Sequence, residues 1–229
     1  MKGFVISIAA VLVFIYGCND QKESKTVQLP TIDSANSVNP DADSIQRAIA
    51  IADSIKFALA KDSTLLQLTD RILKAFKSRN YRSVADHIDP VQGVRFSPYA
   101  YVDTLKNVVL SKRKFIEQAG KTEQDMIKWG EFDGSGDPIN MTLNQYIQRF
   151  VYDVDFAKPE KRSVNEFLNE GNSLNNLLSV YTSADFTASY FSGFDEKYQG
   201  LDWKTLRLVF QLRNKRYYLV GIVHDEWTI

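Results

Sequence analysis

An α+β domain, with helices packed on a curved antiparallel sheet, is what three features of this sequence predict. Apolar residues recur at helical spacing from Leu65 to Phe76, a capping box opens another helix at Thr142, and two alternating runs flank Asn214-Lys215 near the carboxy terminus. Helices lead, and a long hairpin closes the chain.

Taken in order, Ile45, Ala48, Ile49, Ala52, Ile55 and Leu59 form a narrow stripe at helical spacing. They predict an amphipathic helix over 44–62, with Asp41, Asp43 or Ser44 available to cap its start. The stripe is free to pack on the main domain, on another copy of itself or on a partner. The globular domain is expected over 63–229. Its first helix carries Leu65, Leu68, Ile72, Leu73 and Phe76 and stops at Ser78-Arg79-Asn80, where Asn tolerates a left-handed conformation. Tyr81, Val84, Ala85 and Ile88 line a second, short helix ended by Asp89-Pro90. Val94 and Phe96 alternate with polar neighbours in a strand that Pro98 stops or confines to an edge.

From Tyr99 to Gln124 the pattern assigns no element. Met126 to Phe132 is extended, Asp133-Gly134-Ser135-Gly136-Asp137-Pro138 is a turn, and Thr142-Leu143-Asn144-Gln145 is the capping box. Leu143, Tyr146, Ile147, Phe150 and Val154 share the face of the helix that follows. A short helix over Gly171 to Tyr181 and a strand over Phe186 to Phe191 precede the hairpin. Regular pairing about Asn214-Lys215 puts Leu206, Leu208, Phe210 and Leu212 with Tyr217, Leu219, Gly221 and Val223 on the core face. The other face then carries Arg207 beside His224 among mixed polar and apolar neighbours, a surface suited to a pocket wall.

Lys plus Arg and Asp plus Glu both number 28, so no global field draws the protein to nucleic acid, and none is expected as a partner. One cysteine and two histidines, His87 and His224, are too few for a structural zinc site, and no disulfide forms within one chain. Neither a metal nor another cofactor is expected.

The amino terminus is an export signal. Lys2 precedes an apolar run from Phe4 to Tyr16, about a dozen residues against the roughly 20 that a membrane-spanning helix needs. Ile15-Tyr16-Gly17-Cys18 resembles the lipobox of bacterial lipoproteins, with Tyr16 replacing the small residue usual there. The resemblance implies cleavage after residue 17 and acylation of Cys18, which holds the protein on a membrane of the cell envelope. Residues 19–40 are polar and too poor in apolar side chains to fold, so 18–43 is expected to be a flexible tether.

Over 63–229 the order of elements, with the helix-turn-helix opening at Lys77-Ser78-Arg79-Asn80-Tyr81-Arg82, resembles the cystatin-like cone of the nuclear-transport-factor-like superfamily. That resemblance implies a concave sheet able to hold a small ligand, in a superfamily of both enzymes and binding modules. Fold alone does not choose between them.

Candidate chemistry is sparse. Ser111-Lys112-Arg113-Lys114 matches a Ser-x-x-Lys pattern without its companion elements, and Asp133, Ser135 and Asp137 lack the Gly and Glu of a calcium loop, since Pro138 and Asn144 stand there. His224 could act as a general base with Asp153 or Asp155, and Arg207 could hold an anionic group, which would make a small hydrolase, isomerase or lyase. The leading expectation is instead a non-enzymatic domain that binds a small ligand or another envelope protein through Tyr152, Arg207, His224 and Trp227. Replacing Cys18→Ser should move the protein from the membrane to the soluble fraction on cell fractionation; unchanged membrane association would refute lipid anchoring.

Overall fold

The computed structural model describes residues 42–121, 125–169, 171 and 174–228. Cys18, the export signal and all but the last two residues of the expected tether lie outside them.

Helix α1 (Ala42–Lys77) joins the two helices expected on either side of residue 63 into one. No Gly or Pro interrupts the sequence there, and the intervening Lys61-Asp62-Ser63-Thr64 is polar but helix-compatible. Residues 42–60 are exposed throughout, and burial begins at Leu65. The helix ends at Lys77, and Arg79 in the turn after it takes the positive φ of 54° that Asn80 was expected to adopt. Asn80 instead accepts from Ser83 N as the cap of α2 (Tyr81–Ala85).

β1 (Val94–Ser97) follows as expected, then β2 (Val109–Leu110) and α3 (Lys112–Ala119) fill the stretch to which the sequence assigned nothing. Ser111 caps α3 by accepting from Lys114 N, so the Ser-x-x-Lys match is a helix cap. β3 (Ile127–Glu131) and β4 (Pro138–Met141) form a separate two-stranded sheet around the glycine turn. Thr142 and Gln145 make the reciprocal capping box of α4 (Leu143–Phe150). That helix stops before Val154, which lies beyond its carboxy-terminal cap at Val151. β5 (Lys161–Val164), α5 (Leu177–Val180) and β6 (Asp185–Phe191) lead into the hairpin of β7 (Lys204–Arg213) and β8 (Arg216–Glu226). α5 is the only helical part, among the described residues, of the longer helix expected over 171–181.

The main sheet runs β2-β1-β8-β7-β6-β5. Its pairs are antiparallel except β1 with β8, which are parallel. The fold is α+β, with helices on a mostly antiparallel curved sheet. Asn214 and Lys215 both take positive φ, 49° and 62°, the geometry that a two-residue hairpin turn needs to match strand twist.

One irregularity reorders the sheet. Near the turn Leu212 faces Tyr217 and Phe210 faces Leu219, as regular pairing requires. Val209 then faces Gly221, so Val220 is an extra residue in β8, and beyond it every partner shifts by one. A one-residue shift exchanges faces. His224 therefore lies opposite Leu206 and shares the helix-covered face, while Arg207 is left on the other side, opposite Val223. The expected face shared by Arg207 and His224 does not exist.

Both faces are filled. Leu206, Leu208, Phe210, Leu219 and Ile222 pack under α1, α3 and α4 with an aromatic group in which Trp129 stacks on Tyr146 at 4.2 Å. Val209, Val220 and Val223 on the reverse face join Phe186, Ala188, Leu177 and Val102 in a second, smaller core. The mixed face expected to wall a pocket is thus covered.

Candidate functional site

The sequence-derived candidates separate into four places. On the helix side of the sheet, His224 is fully buried, its ring edge-on to Phe150 with centroids 5.9 Å apart. Its Nε2 lies 3.4 Å from Asp153 Oδ2, a close approach without hydrogen-bond geometry. The Lys204 ammonium bonds to the same carboxylate oxygen and lies 3.1 Å from Glu226 Oε2. Arg149 closes the group with bonds of 2.5 and 3.3 Å to Glu226. Two carboxylates, two fixed cations and one imidazole thus share one pocket beneath α4.

Their positions follow from local structure. Lys204, His224 and Glu226 alternate onto one face of β7 and β8, and Arg149 projects from the last turn of α4. Asp153 sits just past that helix end, where a carboxylate opposes the helix dipole and needs cations to hold it. Burial alone would raise its pKa, but the contacts of His224 and Lys204 outweigh this and hold it at about 2. Glu226 follows the same balance: burial raises it, and Arg149, His224 and Lys204 bring it below the usual carboxylate range.

Asp153, His224 and Glu226 place ligand atoms within 4.8 Å of one another, a spacing that could hold a metal ion. The donor set does not fit one, because the Lys204 ammonium already bridges the two carboxylates and Arg149 takes both oxygens of Glu226. A divalent ion would have to displace one fixed positive charge and sit beside another.

On the reverse face, Arg207 is fully buried and donates to Asp225 Oδ2 at 2.9 Å and to Asn169 O at 3.3 Å, with its guanidinium 5.2 Å from the Phe167 ring centroid. Burial raises the pKa of Asp225 and Arg207 opposes the rise. Gly171 closes over the pair so tightly that a Cβ there would come within 2.7 Å of Trp203 Cζ2. A buried Arg with its own carboxylate is already neutralised and is not placed to receive a substrate anion.

The other candidates stand apart. Tyr152 donates to Asp155 Oδ1 at 2.5 Å, and Asp155 also pairs with Lys77, tying the segment after α4 to α1. Burial first, and that bond second, push the Tyr152 hydroxyl pKa upward. Trp227 is partly exposed at the end of β8. Asp133 N bonds to Tyr99 Oη and Ser135 Oγ accepts from Asp137 N, which is turn chemistry.

Two open surfaces were not anticipated. A groove of about 760 Å³ lies between α1 and the hairpin tip, with Phe57, Leu68, Leu212 and Tyr217 among its walls and Lys61, Arg71, His87, Lys215 and Arg216 around them. A second, of about 690 Å³, is lined by Tyr99, Tyr101, Lys106, Glu131, Phe132 and neighbouring residues. His224 lines neither. The sequence held a partial signal for the first: Leu212 and Tyr217 extend the apolar alternation to the very end of the hairpin, beyond what a short turn would bury.

The fold and its largely buried ion pairs define an α+β domain with open grooves at its margins. No family model matches the chain, and no curated protein matches it. Among solved structures it is similar to one from Xanthomonas campestris described as a calcium/calmodulin dependent protein kinase II association domain. The identity is 11% and the TM-score 0.32, over 71% of this chain and 85% of that one.

If the buried group is structural, acid should expose it. Asp153 has a depressed pKa, so its contribution is complete above about pH 4 and is lost as pH falls through about 2. Denaturant titrations across that range should show about 2 kcal/mol of pH-dependent stability that Asp153→Asn removes, together with a lower stability at pH 7. Equal pH dependence in the variant would refute the assignment.

Proposed function

We propose that this chain is a lipoprotein of the bacterial cell envelope, acylated at Cys18 and tethered to a membrane, whose cystatin-like body binds a ligand or partner without transforming it. The observation that carries the reading is the burial of His224: the histidine that the sequence offers as a general base lies buried beneath Phe150, and it lines neither groove.

The groove between α1 and the hairpin tip is the better binding surface. Apolar walls supply affinity, and cations around them select an anionic end. Arg71 and Lys215 have no partner among the described residues, whereas Lys61 pairs with Asp185 and Arg216 donates to Asp86 O. His87 shows the local field: burial, then Arg71 and Arg216, lower its pKa, so it is neutral at pH 7 and leaves the arginines to attract the anion. The class that fits is an amphiphile, or a peptide segment, with an apolar body and an acidic end.

A hydrolase, isomerase or lyase using His224 and Asp153 is the second reading, favoured by their 3.4 Å approach. It would need an opening that displaces Phe150, and it would lack Arg207, which lies across the sheet.

Anilinonaphthalene sulfonate, an apolar anion, is a suitable probe. Its fluorescence should rise saturably with the folded protein, and Leu212→Glu should weaken binding about tenfold, a loss of roughly 1.4 kcal/mol. Leu212 is half exposed, so the fold should survive, as a thermal melt would show. Leu105→Glu, at an exposed apolar residue elsewhere, should leave binding unchanged. Equal affinity in all three proteins would overturn the groove as the site.

A further inference from the structure

Among the described residues, none covers the apolar stripe on the first half of α1. From Ala42 to Ala60 it projects roughly 28 Å, at about 1.5 Å per residue, with Ile45, Ile49, Ile55 and Leu59 about half exposed or more. A helical segment of this length is marginal in water without packing, and contiguous apolar surface of this kind marks an interaction site.

The exposed stripe does not continue the buried one. At about 100° per residue, the stripe formed by Ile45, Ile49, Ala52, Ile55 and Leu59 is turned roughly 140° from the face that Leu65, Ile72 and Phe76 bury. It is also turned roughly 130° from the side that walls the groove. It needs an occupant of its own.

We propose that the occupant is the same stripe on a second copy of this chain, in an antiparallel pair whose two-fold axis passes beside Ala52. An isologous contact requires a self-complementary surface. This one is symmetric about Ala52: Ile45 falls opposite Leu59, Ile49 opposite Ile55, and Ala52 opposite itself. The small side chain at the axis lets the helices approach. Lys56 falls opposite Ala48, where its stem covers apolar surface and its ammonium reaches water. Antiparallel pairing also places the two globular bodies at opposite ends, where they do not collide.

Charge favours a second copy over a lipid surface. Asp43, Arg47, Asp53 and Lys56 sum to zero across the overhang, whereas a helix that lies on an anionic bilayer carries a basic polar face. The interface is modest. Confinement of both copies to one membrane would raise their effective concentration and strengthen it.

The test uses the full chain with Cys18→Ser, which leaves no native thiol. Adding Ala52→Cys and oxidising should convert most of the protein to a covalent dimer under non-reducing conditions. Ala50→Cys, on the far side of the helix, should leave it monomeric. Chains carrying Ile45→Cys and Leu59→Cys should link to each other but not to themselves. Self-linking at Ile45→Cys would show a parallel pair, and equal linking at Ala50→Cys would show random collision; either overturns the proposal. Failure to link at Ala52→Cys, whether or not phosphatidylglycerol vesicles become the occupant instead, overturns it too. None of these failures touches the groove, which lies on another side of the helix.

Discussion

The extra residue at Val220 decides which ionisable groups of the final hairpin share a face of the sheet. Without it, β7 and β8 would keep one register from turn to end, and Arg207 would share a face with His224. With it, His224 and Glu226 fall under α4, where Lys204, Arg149 and Asp153 neutralise them, and Arg207 and Asp225 fall together on the reverse face. Gly221 makes room beside the bulge, because a Cβ there would stand 2.7 Å from Tyr181 Oη and 3.2 Å from Val209 Cβ. The tyrosine belongs to the layer that closes the second core.

A buried ion pair and a partly buried ion cluster flanking one hairpin are costly to assemble, since each desolvated charge loses water that only good pairing replaces. Their return lies in specificity: slipping β8 by one residue would carry Asp225 to the helix-covered face, away from Arg207, and Glu226 to the reverse face, away from Lys204. The polar interior thereby fixes the register that the apolar alternation alone leaves open. The same pairing engages the few titratable candidates of the sequence with one another, and the open grooves of the domain lie elsewhere.

Much of the fold was legible because local signals were strong. The capping box at Thr142, the Asn214-Lys215 turn and the strand at Val94 all rest on neighbouring residues, and all three hold. The union of two helices into α1 was missed because the polar Lys61-Asp62-Ser63-Thr64 looks like a boundary, although it contains no breaker. The candidate site was less legible. His224 and Asp153 do meet, but Lys204 and Arg149 were not foreseen as their companions, because a pair remote in sequence has no local signature. The bulge left one trace, the glycine in a strand otherwise free of them, and regular alternation overrode it.

The register of the final hairpin is therefore the central claim, and nuclear magnetic resonance contacts between backbone protons of β7 and β8 measure it directly. Cross-strand contacts from Leu206 to His224 and from Leu208 to Ile222 are expected. Contacts from Leu206 to Val223 and from Thr205 to His224 would mean an unbroken ladder and would contradict that claim.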